Sequence, residues 1–446
     1  MTTLQVVLAL AALTLGPVLV WCRRDNVFAY MGAGTFVAVY LVPLAPTLAA
    51  SRFDHAVLAL YGDVLLVGAV AFLAGLALGA QVGARSPNRV PLTFARAMGE
   101  RVVDLVSSRA RWIGLGGAGA LVLAFAVMGY VPLFAADRTS AKFGVGAYRA
   151  AFERGALFYR FGLAAASAAL PVVLAVWYRR RRWPDLALAA VLVVALVVSL
   201  SRDSAFSGPF LFALAVAIER RWRPWVIATL AAGALSVGTL VSLAFVSPGD
   251  GSPQAVADRV ADSSPDIRDH IGFLKGFEAR GEPTYGRTLL AGLSLGPSEW
   301  DPSTYALSTL TGFRDLRDFA AGGLRLPAPV WGYASFGWAG VAMFSAVSGL
   351  FAGWGLVKLR RLLTPALAAP GAALAIVVAA TFYNGTFRVL SEFYFLASSA
   401  VVDLAVALAL GVSATVVLAR RPGTGGRASP GRVAAVGPAR AGGGGL

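Results

Sequence analysis

Long apolar runs dominate this chain and limit how it can fold. Hydrophobic residues make up 57% of its 446 residues, and runs of about 20 apolar residues are long enough to cross a bilayer as helices. We therefore predict an all-α integral membrane protein, a polytopic helical bundle within residues 1–419, followed by a disordered cytoplasmic tail over residues 420–446 that is rich in Gly, Ala, Arg and Pro. Eleven spans are predicted: Thr3–Trp21, Val27–Leu48, Ala56–Gly83, Trp112–Phe134, Tyr159–Tyr178, Leu186–Leu200, Ser204–Ile218, Pro224–Val246, Val330–Val357, Thr364–Tyr383 and Phe393–Ala419.

Charge distinguishes the two sides of the predicted bundle. If the spans alternate, one side carries 23 of the 39 Lys and Arg residues and five acidic residues, whereas the other carries 16 basic and 16 acidic residues. Connectors rich in Lys and Arg stay in the cytoplasm. The N-terminus is therefore predicted outside and the C-terminus inside. The net charge of +16 reflects this orientation and contact with anionic lipid, and it gives no reason to expect a nucleic acid partner.

One connector is far longer than the others. Residues Ser247–Pro329, between predicted spans eight and nine, form a periplasmic loop in this topology. Within it, Ser264-Pro265-Asp266 is typical of a helix start, apolar residues follow at helical spacing, and Gly281 is a plausible stop. Asp301-Pro302 predicts a second helix start. The first helix is amphipathic, and we expect it to lie on the membrane surface.

Arginine is the residue type that stands out in the outward segments. Its planar guanidinium binds phosphate through paired N–H donors and stays charged, so several arginines around one cleft would bind a lipid diphosphate well. Aromatic rings between them would bind the faces of sugars, and a nearby carboxylate can take a proton from a hydroxyl acceptor. One cysteine, two histidines and the absence of metal-ligand spacing predict neither a metal nor another cofactor.

Several stretches resemble the bacterial O-antigen or oligosaccharide repeat-unit polymerase family (Wzy-type). They are similar to a span-ending motif, to a short Ser-Arg turn between helices, and to a passage of Tyr-Gly, Pro and Phe-Gly-x-x-Gly that leads into the next span. In this sequence the stretches are Gly129–Phe134, Ser201–Ser204, Tyr285-Gly286-Arg287, Pro297, Gly322–Arg325 and Tyr333–Gly340.

The resemblance implies a glycosyltransferase with a GT-C-like fold in the bacterial cytoplasmic membrane. Such an enzyme transfers an undecaprenyl-diphosphate-linked glycan onto the sugar end of another lipid-linked repeat unit, outside the membrane, and the carrier diphosphate leaves. The expected partners are the lipid-linked oligosaccharide, membrane lipids, a flippase and a chain-length regulator.

The candidate site residues follow from the arginine chemistry and from this resemblance together. Taken singly, each also fits an ordinary surface role. The candidate catalytic residues are Arg202, Asp203, Arg287, Arg314 and Arg325. The candidate substrate-binding residues are Arg138, His270, Tyr285 and Tyr333.

Two other functions remain open at this point. An O-antigen ligase, or another transferase with a polyprenyl donor, has the same predicted layout. An exporter of polysaccharide or lipid-linked glycan performs no chemistry, but we expect it to carry polar residues along its spans. The only acidic residues inside the predicted spans are Asp63 and Asp403, and we expect each to be buried and paired there or functional. Their small number favours an enzyme.

Overall fold

The computed structural model describes most of the chain as helix. The described residues are 2–21, 26–42, 44, 54–85, 100–144, 146–246, 265–280, 282–291, 299–311, 324, 326–366, 371–396, 404–406 and 408–409. Within them 89% of the residues are helical and none is in a β-strand, which confirms the predicted all-α class. The predicted tail, residues 420–446, lies outside the described residues.

The described residues contain fourteen α-helices, which are numbered in chain order. Short 3-10 turns at Pro132–Phe134, Gly146–Tyr148 and Phe393–Phe395 connect or follow them, and α2 continues as a π-helix over Phe36–Leu41. The α-helices are α1 (Thr2–Val20), α2 (Val27–Thr35), α3 (His55–Arg85), α4 (Glu100–Met128), α5 (Arg138–Phe143), α6 (Arg149–Arg180), α7 (Trp183–Val198), α8 (Arg202–Glu219), α9 (Pro224–Val246), α10 (Pro265–Arg280), α11 (Thr288–Ala291), α12 (Pro302–Thr311), α13 (Ala328–Ala366) and α14 (Ala372–Ser391).

Six of these helices are long and apolar enough to cross a membrane: α1, α3, α4, α6, α13 and α14. They overlap predicted spans one, three, four, five, nine and ten, although the bounds differ: predicted span ten begins at Thr364, whereas α14 runs over Ala372–Ser391. Shorter apolar helices over Val27–Leu41, Trp183–Val198, Ser204–Glu219 and Pro224–Ala234 fall on predicted spans two, six, seven and eight. The eleventh predicted span, Phe393–Ala419, lies mostly outside the described residues. The chain is thus a multi-pass helical membrane protein by length and composition.

Helices α3 and α13 are in direct backbone contact. Glycines spaced four apart line both helices, and a Cβ atom built on any of them would collide with a backbone carbonyl of the other helix. Small residues at such spacing let membrane helices approach closely. Residue numbers rise together along the contact, so the two helices are parallel. The pairs are Gly75 with Ala346, Gly79 with Leu350, Gly349 with Phe72 and Gly353 with Leu76.

Helices α4 and α6 form a second close pair, and they are antiparallel. Gly117 of α4 lies against Ala166, while further along the contact Gly162 of α6 lies against Leu121. Numbers therefore rise on one helix as they fall on the other. This direction is the one expected for consecutive spans joined by the short connector over residues 129–148.

One end of the bundle, the basic end, is held together by arginines. Arg360 donates to the carbonyl oxygen of Val20 at 3.3 Å, and Arg361 donates to that of Gly83 at 3.2 Å. These bonds satisfy carbonyl groups at the C-terminal ends of α1 and α3, where cations are also favoured by the helix dipole. Arg111 forms a bidentate ion pair with the buried Asp185. Each of these three arginines therefore bonds to another helix of the bundle.

The opposite end, the loop end, carries α10, α11 and α12. Helix α10 begins at Pro265 and ends at Arg280, which confirms the start and stop signals in the sequence. Its apolar face does not lie on the membrane surface as expected. The face is instead buried in a cluster with residues of α3 and α13, because the bundle offers it an apolar partner. The buried residues of α10 in this cluster are Ile267, Ile271, Phe273, Leu274 and Phe277.

Asp63 differs from the sequence-based expectation. It lies on α3, but the residue is exposed rather than buried between helices. A helix of 31 residues spans about 46 Å, whereas the bilayer core is about 30 Å thick. Asp63 is near the loop end of α3 and can therefore lie level with the headgroups. Asp403 lies outside the described residues.

The backbone contact between α3 and α13 yields a stability prediction. We expect Gly79→Ala to lower the free energy of unfolding by about 1–3 kcal/mol, because the new methyl group meets a backbone carbonyl that cannot move alone. The measurement is the thermal melting of the purified protein in detergent. Gly116→Ala is the matched control, since it lies on a membrane helix with open space around it. Equal melting temperatures for the two variants would refute the contact.

Candidate functional site

The chain reverses direction inside α13, at the loop end. The backbone leaves helical geometry at Phe336 (φ −142°, ψ 23°) and Gly337 (φ 61°, ψ −144°). A Cβ on Gly332 would collide with the carbonyl of Gly340, and the converse also holds. Residues 328–335 therefore form a short entry helix that folds back on the start of the long segment 338–366. The predicted span Val330–Val357 is thus wrong as one continuous helix: it breaks at Gly337.

This corner exposes aromatic rings. Phe336 is 41% exposed and Trp338 is 47% exposed, although Ser335 before the corner and Val341 after it are buried. The left-handed φ at Gly337 is accessible to glycine at little cost and to other residues only with strain. The Phe-Gly-Trp stretch singled out in the sequence therefore builds a sharp turn with a ring on each side.

A tight turn over Thr284–Arg287 packs against the corner. Tyr285 (φ 48°) and Gly286 (φ 78°) both have positive φ, as in type I′ turns, and the Arg287 N–H donates to the carbonyl of Thr284 at 3.0 Å. Tyrosine is a poor residue for a left-handed backbone, and such strain costs on the order of 1–3 kcal/mol. The Tyr285 side chain is nevertheless 63% exposed, so it gains little from burial in return.

The end of the entry helix holds this strained turn in place. The backbone N–H groups of Thr284 and Tyr285 donate to the carbonyl oxygens of Ala334 and Ser335 at 2.9 and 3.2 Å. The buried Thr284 hydroxyl is 2.9 Å from that of Ser335. These bonds use carbonyl groups that the entry helix leaves unpaired at its C-terminus. The turn and the corner therefore form one unit.

Arg287 is positioned by an aromatic ring. Its guanidinium lies 4.5 Å from the ring centroid of Trp300, which stacks on Tyr305. Tyr305 in turn donates to the Glu282 carbonyl at 3.2 Å. Arg287 is exposed and forms no ion pair with any residue in the described parts of the chain. Its N–H donors therefore face solvent from a fixed position, which is the arrangement that binds phosphate oxygens.

A carboxylate lies on the same surface. Tyr333, on the entry helix, donates its hydroxyl to Glu278 of α10 at 3.0 Å. The Tyr333 ring meets Trp338 edge-on at 5.5 Å and Phe277 at 5.9 Å. Glu278 is exposed, and the hydrogen bond fixes one of its oxygens while the other stays accessible. We call the surface formed by Glu278, Tyr285, Arg287, Trp300, Tyr333, Phe336 and Trp338 the loop-end surface.

The structure brings only some of the predicted residues to the loop-end surface. Tyr285, Arg287 and Tyr333 belong to it. Arg138 is exposed at the start of α5, where Asp137 caps the helix, and no contact joins it to the loop-end surface among the described residues. His270 is only 1% exposed, with its Nδ1 3.1 Å from the Tyr61 hydroxyl, so it joins α10 to α3 beneath the surface.

The remaining predicted residues cannot be placed at side-chain level. Arg202 and Asp203 are the first two residues of α8, and their side chains lie outside what the structure describes. The preceding turn is bonded to α6 through Tyr159, whose hydroxyl donates to the Ser199 carbonyl at 2.7 Å. Arg314 and Arg325 lie outside the described residues altogether.

Four members of the loop-end surface were not predicted as site residues: Glu278, Trp300, Phe336 and Trp338. The last two lie in the Phe-Gly-x-x-Gly stretch that the sequence had singled out only as a motif. Glu278 comes directly after Phe277 in α10, and its position is typical of the polar edge of an amphipathic helix. Its partner Tyr333 is 55 residues away, and no local pattern relates the two. In the described part of the chain, no group of three or more His, Cys, Asp or Glu residues could hold a metal ion.

Comparison with known proteins identifies no relative. The chain matches no protein-family model, no curated protein and no solved structure. Function is therefore inferred from the geometry of the loop-end surface.

The strained turn provides a prediction that does not depend on function. We expect Tyr285→Asn to be more stable than Tyr285→Ala by about 1 kcal/mol, because asparagine adopts a left-handed backbone more readily than alanine does. Both variants lose the exposed ring, so the comparison isolates the backbone. Thermal melting of the two purified variants measures the difference. A Tyr285→Ala variant as stable as Tyr285→Asn would mean that the backbone at this position is not left-handed.

Proposed function

We propose that the protein is a repeat-unit polymerase that acts on undecaprenyl-diphosphate-linked oligosaccharides at the outer face of the bacterial cytoplasmic membrane. In this proposal it has eleven spans in a GT-C-like bundle, and its loop end faces the outside. The observation that carries the proposal is the loop-end surface, where an arginine with no acidic partner among the described residues lies together with an exposed carboxylate and exposed aromatic rings.

Each part of the loop-end surface supplies one requirement of glycosyl transfer from a lipid diphosphate. Exposed rings such as Tyr285 and Trp338 can stack on the apolar faces of sugars. Arg287 offers paired donors to the diphosphate of the carrier. Glu278 can accept a proton, and Tyr333 fixes its orientation.

The proposed reaction is a single displacement at the anomeric carbon of the donor. The acceptor hydroxyl oxygen forms a bond to that carbon, and the bond from the carbon to the diphosphate oxygen breaks. The hydroxyl proton passes to Glu278 and then to water. Undecaprenyl diphosphate leaves, and arginine stabilises the negative charge that develops on it. Arg202, Arg314 and Arg325 are further candidates for this charge, and Asp203 is a second candidate for the proton.

Helix directions support the proposed topology. In an alternating scheme, spans three and nine share a direction, while spans four and five oppose each other. The parallel contact of α3 with α13 and the antiparallel contact of α4 with α6 agree with that scheme. The basic end then lies in the cytoplasm by the positive-inside rule, which leaves the loop end outside, where lipid-linked repeat units are presented.

The direct test is transfer by the purified protein supplied with a lipid-linked repeat unit. We expect a ladder of longer glycans and released carrier diphosphate without a nucleotide sugar. Arg287→Ala should lower the rate by about 100-fold or more, since one donor to a developing anion has that effect. Arg287→Lys should restore only part of the rate, because lysine lacks the paired fork.

Arg154→Ala is the matched control, because Arg154 is an exposed arginine near the loop end of α6 that donates only to a backbone carbonyl. It should keep the wild-type rate. One added unit followed by a stop would indicate a ligase or another single-step transferase. Movement of the lipid-linked unit across the bilayer at unchanged length would indicate an exporter. Full activity of Arg287→Ala would remove the proposed phosphate role.

A further inference from the structure

We propose that the basic end carries a second site, which binds the phosphodiester headgroup of an anionic membrane lipid. The site is a cavity of about 280 Å³ between the ends of α6 and α8 and the start of α14. Its lining residues are Tyr178, Arg179, Arg181, Glu219 and Gly371. It is on the opposite end of the bundle from the loop-end surface, so it does not depend on the proposed function.

Arg179 gives the first indication of an anion. Its Nη1 nitrogen is buried and has no hydrogen-bond partner among the residues that the structure describes. A buried N–H of a charged group without an acceptor destabilises the folded protein. Gly371, at φ 86°, packs directly on this guanidinium, and a Cβ there would collide with Nη1. The chain thus leaves room for the guanidinium, and the described residues supply no acceptor for Nη1. Because Arg179 is half-buried and lines the cavity, a phosphate there can pair with its charge.

Two more arginines share the ring of Tyr178. The guanidinium of Arg181 lies 4.9 Å from the ring centroid and that of Arg220 lies 5.9 Å from it. Arg220 also donates from Nε to the Tyr178 hydroxyl at 3.2 Å. Neither arginine forms an ion pair with a residue in the described parts of the chain. The neighbouring Arg180, by contrast, pairs with Asp104.

The cluster therefore has an excess of positive charge. Arg179, Arg181 and Arg220 are near one carboxylate, Glu219, and one oxygen of that carboxylate accepts the backbone N–H of Ala373 at 2.7 Å. Like charges held together on one ring repel each other unless an anion lies between them. A single phosphodiester offsets this repulsion and gives Arg179 its acceptor.

The position of the cavity favours a lipid over a soluble anion. It lies where the membrane helix α6 ends, and exposed tryptophans lie at or beside the connectors that follow α6 and α8: Trp183 is 78% exposed, Trp222 43% and Trp225 64%. Tryptophan is enriched at the level of the headgroups. The second oxygen of Glu219 is an acceptor for a hydroxyl, so a glycerol headgroup on a phosphodiester matches both the arginines and the carboxylate. Phosphatidylglycerol has this chemistry.

Native mass spectrometry of the full-length protein in a neutral detergent tests the proposal, with short-chain phosphatidylglycerol and phosphatidylcholine as probes. We expect one retained phosphatidylglycerol, bound about tenfold or more tightly than phosphatidylcholine, which corresponds to about 1.4 kcal/mol. The double variant Arg179→Gln/Arg181→Gln should lose that preference. Arg223→Gln removes the same type of charge from an exposed position on the same end, outside the cavity lining, and should keep it.

Three other outcomes would contradict the proposed lipid site. Equal affinity of the wild-type protein for the two lipids overturns it, and this comparison needs no variant, so it decides even if the double variant fails to accumulate. An equal loss in Arg223→Gln and in the double variant would show general charge attraction. Inorganic phosphate at millimolar concentration should not displace the lipid; displacement would assign the cavity to free phosphate.

Discussion

The contact between α3 and α13 is the constraint on which the rest of the structure depends. Glycines on both helices bring the two backbones together, and they fix the helices as parallel neighbours over several turns. Two parallel helices cannot be consecutive spans, so the chain between them must pass back to the end of the bundle at which α3 began. Because α13 is held in this way, the entry helix before it can fold back only at the loop end. Gly68, which is nearer the loop end of α3 than these contacts, packs on Pro329 at the start of that entry helix.

The loop-end surface follows from this arrangement. The corner at Gly337 ends the entry helix beside the turn that contains Tyr285, and the freed carbonyl groups of the entry helix hold that turn. The helix α10 closes over the same region through Phe273 and its neighbours, which pack on Trp331. A strained, exposed tyrosine is therefore held by a rigid support. Strain that is retained without burial is typical of positions where function, rather than stability, selects the residue.

Much of this fold could be predicted from the sequence, because its signals are local. Apolar runs predict the long membrane helices. Asp301 predicts a helix start, and the structure confirms it: the Asp301 carboxylate accepts the N–H groups of Ser303 and Thr304. The rest depends on contacts between distant segments. Periodicity shows that α10 has an apolar face but does not determine whether lipid or protein covers that face. For this reason the sequence suggests a surface position for His270, whereas the structure buries it. The pairing of Glu278 with Tyr333 has no local signal.

The central claim is that the loop-end surface faces outside the cytoplasm while the basic end faces inside. Fusions of the full chain to alkaline phosphatase, which is active only outside the cytoplasm, test it most directly. We predict activity for an insertion at Gly281, beside the end of α10, and none for a fusion at Arg427 in the tail. An inactive fusion at Gly281 together with an active one at Arg427 would place Arg287 and Glu278 in the cytoplasm, away from the lipid-linked substrates, and would contradict the account.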